Sequence, residues 1–387
     1  MNTIGVESMR VLHIMSGFGG GISSFIYNKA IALNDKNVVF DVATYDECST
    51  LFTDAIHSMG GQIYRLENPK KVGWRKFKTT FEKILNEHEY QAIHCHITGY
   101  RALAYYLVSR PYVKRFFLHA HMTKALYVTG FRQKIMRQLD QMINRFITDS
   151  YVGCGRLANL AIYGSIPEEQ MMVIPNSIST ERYLLSDDEF EQRRNQLKTQ
   201  YGLDDQTLVI GQIGRLHKVK NQEHTLRLAE YIREHQLKAK IFIIGSGADF
   251  ESLNQLVATK DLKDYVTFLG RIDKTETVMP MLDVLIMPSL YEGLPTVVVE
   301  AQTVGIPCLM SDTITDEVDF DKGQVDYLSL NEPIANWYQS LKSLSQVPRL
   351  SKNEREQILV ERGFTNEQSA QIYLDFLNQK INSYLIK

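Results

Sequence analysis

Cysteine is scarce: Cys48, Cys95, Cys154 and Cys308 are the only four in 387 residues, and no two form a CxxC pair. That excludes a zinc ribbon and argues against a disulfide framework, so reduced, mostly buried thiols in a cytosolic protein are expected. An excess of one charge is also missing. Forty-three Lys+Arg against 45 Asp+Glu leave a formal net charge of -2, and no whole-chain field points to nucleic acid. Uncharged apolar runs of about 18 residues, the length a spanning helix needs, do not occur. The opening stretch, Met1 to Ser8, carries Glu7 and lacks the apolar core of a secretion signal. Repeats and low-complexity tracts are absent as well. What remains is a globular composition, 44% hydrophobic and 23% charged, over a length that suits two medium domains.

Short β-branched runs alternate with longer segments of helical period. The first series is Val11–Met15, Val38–Ala43, Gln62–Leu66, Ala92–Cys95, Arg115–His119, Tyr151–Cys154 and Met171–Ile174. The second is Leu208–Ile213, Lys240–Ile244, Val266–Leu269, Val284–Met287, Ile306–Met310 and Tyr327–Leu330. Strands separated by helices imply parallel sheets covered on both faces. One sheet holding both series would exceed the ~10 strands that twisted open sheets tolerate, so two doubly wound domains are expected. The break is expected between Tyr183 and Leu208, where Ser186–Gln200 is polar and highly charged. Beyond Pro348 the pattern is helical, ending in an expected helix over Gln368–Leu385.

The segment Val284–Ser311 carries only two charges, Glu292 and Glu300. Pro295 suits the first turn of a helix and Gly305 with Pro307 its end, while Gly293 allows backbone to approach a ligand. Free amides and the helix dipole between the two carboxylates make an anion site flanked by hydroxyl acceptors. Such a layout fits a nucleotide sugar: sugar, diphosphate, ribose. A capped helix with solvated acids explains the same residues. After the strand ending at Ile213, Gly214 permits a tight turn, followed by Arg215 and Lys220. Two cations there can stabilise a departing diphosphate without a metal ion, although a basic surface loop has the same composition.

The loop Ser16–Ser24, with Gly17, Gly19, Gly20 and Gly21, suits a phosphate but lacks the third glycine of a dinucleotide fingerprint, and Asp41 is not well placed for a ribose. Two HxH pairs, His94/His96 and His119/His121, close expected strands. Alternate residues share a face, so either pair has metal-ligand spacing, yet no Cys or carboxylate partner accompanies them. A polar role at carboxyl ends of strands is expected, with no metal.

Together these segments resemble the family 4 retaining glycosyltransferases of the GT-B fold, over nearly the whole chain. Glu292-x7-Glu300, in EGLPTVVVEAQTVGIPCLMSD, is similar to that family's EGFP…E segment followed by AxGxPV. Gly214-Arg215…Lys220 resembles its GRL…K loop. Val266–Gly270 (VTFLG), Asp283–Ser289 (DVLIMPS) and Ile174–Ile178 (IPNSI) stand where the family has VxFLG, aDvfvlPS and IpNGvd. Ser311–Val318 (SDTITDEV) is similar to the capsule and exopolysaccharide branch. Two departures stand out: the glycines lead to Ile22-Ser23 rather than GGxE, and Cys154–Arg156 lacks the usual Ser.

The resemblance implies two Rossmann-like domains facing a cleft. Residues 1–184, completed by 368–387 through a helix crossing back, would bind acceptor; residues 185–367 would bind donor. Glu292 would contact the transferred sugar and Glu300 the ribose. Arg215 and Lys220 would hold the diphosphate, helped by backbone at Gly293, Leu294, Pro295 and Thr296. Gly270, Arg271 and Ile272 would line the base pocket. Gly20 and Gly21 would close over phosphates or acceptor, with Gly19 on the acceptor side. His119 is nearest the family's histidine bordering donor sugar and acceptor, and His121 competes for that place. The implied activity moves a hexose or N-acetylhexosamine from a nucleotide sugar, UDP favoured by the polysaccharide branch, to a saccharide or lipid-linked acceptor. No cofactor beyond that co-substrate is implied.

A nucleotide-sugar epimerase of the same architecture, a Rossmann oxidoreductase and a silent partner of another transferase stand as alternatives. The oxidoreductase lacks its fingerprint, and a silent partner would have lost its carboxylates. Asn68–Lys83, with Trp74, Phe77 and cations Lys70, Lys71, Arg75, Lys76 and Lys78, has the composition of a segment resting on anionic lipid. So has Met122–Asn144, with Tyr127, Phe131, Arg132, Lys134 and Arg137. A solvated basic helix face accounts for either equally well. A cytoplasmic protein, peripheral on the inner face of the plasma membrane, would result.

Overall fold

The computed structural model describes residues 8–386, so Met1–Glu7 of the opening stretch lie outside the described residues. The chain divides into two compact units, one running to Ser177 and resuming at Gly363, the other spanning Ile178–Arg362.

The first unit is a parallel sheet of seven strands in the order β3-β2-β1-β4-β5-β6-β7. They are β1 (Met9–Met15), β2 (Val38–Thr44), β3 (Ile63–Arg65), β4 (Ala92–Cys95), β5 (Arg115–Ala120), β6 (Tyr151–Gly153) and β7 (Met171–Val173). All four residues of β4 and the last five of β1 are buried, as expected of strands covered on both faces. Phe77, Phe81 and Tyr105 lead the core on one face; Phe25, Tyr373 and Phe376 lead it on the other. Strand order reverses between β1 and β4, and it is at such switch points that doubly wound sheets bind ligands, outside the carboxyl ends of the strands.

The C-terminal helix is shorter than its periodicity suggests. It runs Asn366–Leu377 and packs on the helix Gly21–Ala32. Tyr373 and Phe376 are fully buried, and Arg115 donates from Nη1 to the Leu377 carbonyl at 2.7 Å. Gln379 then takes a positive φ of 58° and the chain turns back. Tyr384 pairs with the edge strand β7, its N–H donating to Met171 O at 3.0 Å and its carbonyl accepting from Val173 N–H at 2.8 Å. The edge groups of β7 claim residues that the 3.6-residue pattern assigned to helix.

The second unit is a parallel sheet of six strands in the order β10-β9-β8-β11-β12-β13. They are β8 (Leu208–Ile213), β9 (Ala239–Ile244), β10 (Val266–Gly270), β11 (Val284–Met287), β12 (Cys308–Ser311) and β13 (Val325–Leu328). The polar stretch after Ser186 is no linker. It forms the helix Asp187–Gln200, opened by a capping box between Ser186 and Glu189, with Phe190 and Leu197 buried.

The boundary therefore falls before Ile178 rather than at 184/185. Arg182 makes a two-pronged pair with Glu276 at 3.0 and 2.8 Å, and the Tyr183 hydroxyl meets Thr275 at 3.0 Å. Arg355, fully buried, donates to Leu185 O at 2.9 Å. These contacts bind 182–185 into the second unit. The return to the first unit comes at Gly363, five residues ahead of the expected Gln368.

Candidate functional site

In the second unit, three loops at the carboxyl ends of β8, β9 and β10 are zipped together by their backbones. Gly214 N–H donates to Ile244 O at 2.9 Å, Leu216 N–H to Ser246 O at 3.0 Å, and Gly245 N–H to Gly270 O at 2.8 Å. Gly245 sits at φ 146°, and a Cβ there would lie 1.9 Å from Gly214 O, so only glycine permits this approach. Sequence reasoning missed this Gly245-Ser246-Gly247 turn, although a GxG after a strand was visible.

Lys220 is placed by its backbone. Its carbonyl accepts from Gln212 Nε2 at 2.7 Å, and its N–H donates to His217 O at 2.8 Å. Leu290 N–H donates to Val219 O at 2.8 Å, and Asn221 Nδ2 to Pro288 O at 3.0 Å, which ties this turn to the segment after β11. The lysine stem passes over Gly214, where a Cβ would stand 3.2 Å from Lys220 Cε. Its ammonium then reaches Glu292 Oε1 at 2.6 Å, with both side chains mostly buried. Residues 72 positions apart in the chain thus meet as one ion pair. Arg215, one residue past Gly214, is exposed.

Glu292 precedes the helix Thr296–Val304, which begins one residue later than Pro295 suggests. Pro295 is the N-cap and has no N–H to offer an anion. Amides for an anion come from the first turn of the helix, and Pro295 serves by fixing the turn. Gly293, Leu294 and Pro295 are buried, and Gly305 ends the helix in the left-handed conformation. Gly270 closes β10 at φ 69°, and Arg271 beyond it is exposed and paired with Asp273 at 2.8 Å.

Glu300 lies in the second turn, partly buried. Burial pushes its carboxyl up to about 7, against the opposing influence of Tyr183, Arg182 and Thr296. Arg182, Tyr183 and Glu276 were missed from sequence, since nothing in their spacing marks them as neighbours of Glu300. Because the folded pKa is raised, ionising Glu300 costs stability progressively as pH rises from the ordinary carboxyl range to about 7. Glu300→Gln is therefore expected to melt closer to the parent at pH 5 and higher than the parent at pH 8, as read by scanning calorimetry. A parent advantage that grows with pH contradicts the assignment.

In the first unit, Gly20 caps the helix Gly21–Ala32 without a side chain, and Ser23 takes up the slack. Ser23 Oγ accepts from Gly19 N–H at 3.0 Å and donates to Gly20 O at 3.1 Å. Ser23 thus organises the loop within the stretch where the family shows GGxE. Asp41 is fully buried, held by Arg10 and Tyr90 at 2.7 Å each, and serves the fold.

The two HxH pairs are not separate features. β4 and β5 run side by side and His13 of β1 pairs in register with His94, so five imidazoles share one face. His119 and His121 stack with ring centroids 4.1 Å apart. His94 meets His119 at 2.9 Å, and His96 meets both His13, at 3.1 Å, and His121, at 2.7 Å. Burial drives every one of these imidazoles well below its usual range, His13 and His121 to about 3, so all are neutral. His13 was not foreseen.

The two basic segments part company. In the helix Trp74–Glu87, Phe77, Phe81, Ile84 and Leu85 enter the core, so Phe77 is unavailable to a surface and Trp74 alone stays half exposed. In the helix Phe131–Ile147 the apolar stripe faces outward: Phe131 is 78% and Phe146 74% exposed, with Ile135, Met136, Leu139 and Met142 exposed between them. Arg132, Lys134 and Arg145 share that helix. No helix among the described residues is long and apolar enough to cross a membrane.

Comparison with known proteins agrees with this architecture. The family "Glycosyl transferases group 1" matches residues 193–318. EpsF of Bacillus subtilis (strain 168), named as a glycosyltransferase, is 30% identical over 379 residues, covering 95% of this chain and 96% of its own. An Escherichia coli protein named UDP-Gal:alpha-D-GlcNAc-diphosphoundecaprenol alpha-1,3-galactosyltransferase is 30% identical over 145 residues, 37% of this chain and 36% of its own. Among solved structures, Anabaena Alr3699/HepE in complex with UDP superposes with a TM-score of 0.75 at 16% identity, covering 96% of this chain and all of its own; its complex with UDP-glucose gives 0.73. The chain belongs to the group 1 glycosyltransferases and is built on the GT-B fold.

Proposed function

We propose that this enzyme is a family 4 transferase that moves a hexose or N-acetylhexosamine from a UDP-sugar, with retention at the anomeric carbon, to a lipid-linked saccharide in capsular or exopolysaccharide synthesis. The observation that carries this reading is the Lys220–Glu292 pair at 2.6 Å, set just ahead of a helix N-terminus. Glu292 accepts from hydroxyls of the transferred sugar. Lys220 and Arg215, with the free amides of the helix, take the charge that grows on the diphosphate as its bond to the sugar breaks. Glu300 accepts from the ribose, and the backbone at Gly270–Ile272 borders the base. Two cations and a helix dipole can carry the diphosphate's charge without a metal ion. Glu292 is tied up by Lys220 rather than poised as a nucleophile. Front-face substitution, in which a leaving phosphate oxygen takes the acceptor's proton, fits that arrangement.

The UDP and UDP-glucose complexes of the Anabaena protein and the undecaprenol-linked acceptor in the Escherichia coli protein's name favour the donor and acceptor classes. A lipid-linked acceptor needs a protein that can rest on a bilayer. The outward stripe of the helix Phe131–Ile147, flanked by Arg132, Lys134 and Arg145, supplies the apolar face and cations for an anionic surface. The purified protein should release UDP from a UDP-sugar only when a saccharide acceptor is added, without added Mg2+ or Mn2+. Release or epimerisation of donor alone overturns the transfer reading. The protein should also float with phosphatidylglycerol vesicles and not with phosphatidylcholine. Flotation that survives Phe131→Ser with Phe146→Ser removes that helix as the membrane seat.

A further inference from the structure

The histidine cluster of the first unit contains more than polar packing. Its contacts run in sequence: His119 Nδ1 to His94 Nε2 at 2.9 Å, His94 Nδ1 to the Tyr373 hydroxyl at 2.7 Å, and that hydroxyl to His13 Nε2 at 3.5 Å. His13 Nδ1 then meets His96 Nε2 at 3.1 Å, and His96 Nδ1 meets His121 Nε2 at 2.7 Å. Every ring is entered at one nitrogen and left at the other, always in the same order. Six groups form one head-to-tail chain, and Tyr373, from the C-terminal helix, is its middle link.

A neutral imidazole has one N–H and one lone pair, and a tyrosine hydroxyl has one hydrogen to give. Each link needs one hydrogen. If one ring uses Nδ1–H toward its neighbour, the next must accept at Nε2 and carry its own hydrogen on Nδ1, and so on to the end. Tyr373 could instead accept from both sides, but its own buried hydrogen would then have no acceptor, so the satisfied arrangements give the five rings one tautomer: all Nδ1–H or all Nε2–H. The free ends are His119 Nε2, which is buried without a partner, and Nδ1 of His121, which is only partly buried.

The buried end chooses between the two. In the Nε2–H sense, His119 would bury an unpaired N–H, a rare and costly arrangement. It would do so close to Lys29, whose positive charge already bears on His119. Burial lowers that amine to about 7, so it is still largely protonated at pH 6.5; it is held by Ser177 Oγ at 3.1 Å and set 4.8 Å from the Phe25 ring, which itself packs 4.7 Å from His119. In the Nδ1–H sense, His119 presents a lone pair to Lys29, and the remaining N–H is left at the partly buried His121, where solvent or ligand satisfies it.

We propose that this chain, joined through Tyr373, locks its five histidines as Nδ1–H tautomers, so that His121 offers an N–H to an oxygen of the bound saccharide and is not a general base. The saccharide clause rests on the transfer reading above; the tautomer clause does not. Hydrogen bonding suits the distances better than a shared metal. Zinc–imidazole bonds in a tetrahedron set nitrogens about 3.3 Å apart, whereas the imidazole links here span 2.7–3.1 Å. No carboxylate among the described residues bonds to any of the rings, so nothing offsets a buried dication beside Lys29.

Nitrogen-15 NMR of the full chain labelled at histidine reads the tautomers directly. The expected result at pH 6.5 is protonated Nδ1 and bare Nε2 at His13, His94, His96, His119 and His121. Mixed tautomers, Nε2–H at His121, an imidazolium, or a stoichiometric metal ion found by elemental analysis overturns the proposal. In Tyr373→Phe the middle link is gone, and Nε2–H should become measurable at His121; a His121 that remains wholly Nδ1–H removes Tyr373 as a positioning residue. In transfer assays His121→Asn keeps an amide N–H, so it should stay within about threefold of the parent, whereas His121→Ala should fall about tenfold, the size of one lost hydrogen bond. Equal loss in both overturns the donor role. If no transfer is found at all, the transfer reading fails while the NMR result still decides the tautomers.

Discussion

Glu292→Ala is expected to cripple sugar transfer while UDP still binds. The carboxylate is mostly buried, stands 2.6 Å from Lys220, and precedes the helix Thr296–Val304 by four residues. In the proposed site it touches the sugar and not the nucleotide, so its loss removes contacts that matter as the glycosidic bond stretches. Turnover should fall by about 10²–10³, the range for removing one preorganised electrostatic contact to a transition state. UDP affinity by calorimetry should change far less, because Glu300, Arg215 and the helix amides remain. The fold should survive, since Lys220 keeps some access to water when it loses its partner. Undiminished turnover removes Glu292 from the reaction centre; a matching loss of UDP binding moves it to the nucleotide.

Lys220→Ala should cost as much turnover and weaken UDP-sugar binding too. Two effects combine: a cation is lost from the leaving diphosphate, and Glu292 is left as an unpaired carboxylate beside it, repelling the donor. Lys220→Arg should recover only part. The lysine stem runs so close over Gly214 that a single carbon added there would stand 3.2 Å from its Cε, and a planar guanidinium has a different reach and shape. Combining Lys220→Ala with Glu292→Ala should bind UDP better than Lys220→Ala alone, since the repelling acid is gone. Additive losses in that double variant show that the two side chains act independently, contrary to their contact.

The strands were legible because parallel strands covered on both faces must be short, apolar and β-branched, and the intervening segments must be helical. Runs such as Ala92–Cys95 and Leu208–Ile213 therefore give their strands to the residue. Ser186–Gln200 misled because composition measures polarity, whereas a capping box and three buried side chains suffice to make a helix. The end of the chain misled for the opposite reason: Ile381 and Leu385 keep a helical period, but the open edge of β7 competes for the backbone of Tyr384. Amphipathic composition likewise did not say which way a stripe faces. It faces inward at Phe77 and outward at Phe131.

By itself, the order of residues determined the two sheets, the glycines that turn chain after strands, and the candidate donor-side residues, because each depends on local period or on chemistry carried by a few neighbours. Tertiary structure alone decided which of those groups meet. Lys220 reaches Glu292 because β8 and β11 lie side by side in the sheet. The two halves of the histidine chain, His119–His94 and His13–His96–His121, are bridged by a tyrosine more than 250 residues further on. Strand order and helix docking set such encounters, and they are fixed by the burial of the whole core rather than by any stretch of sequence near the residues that meet.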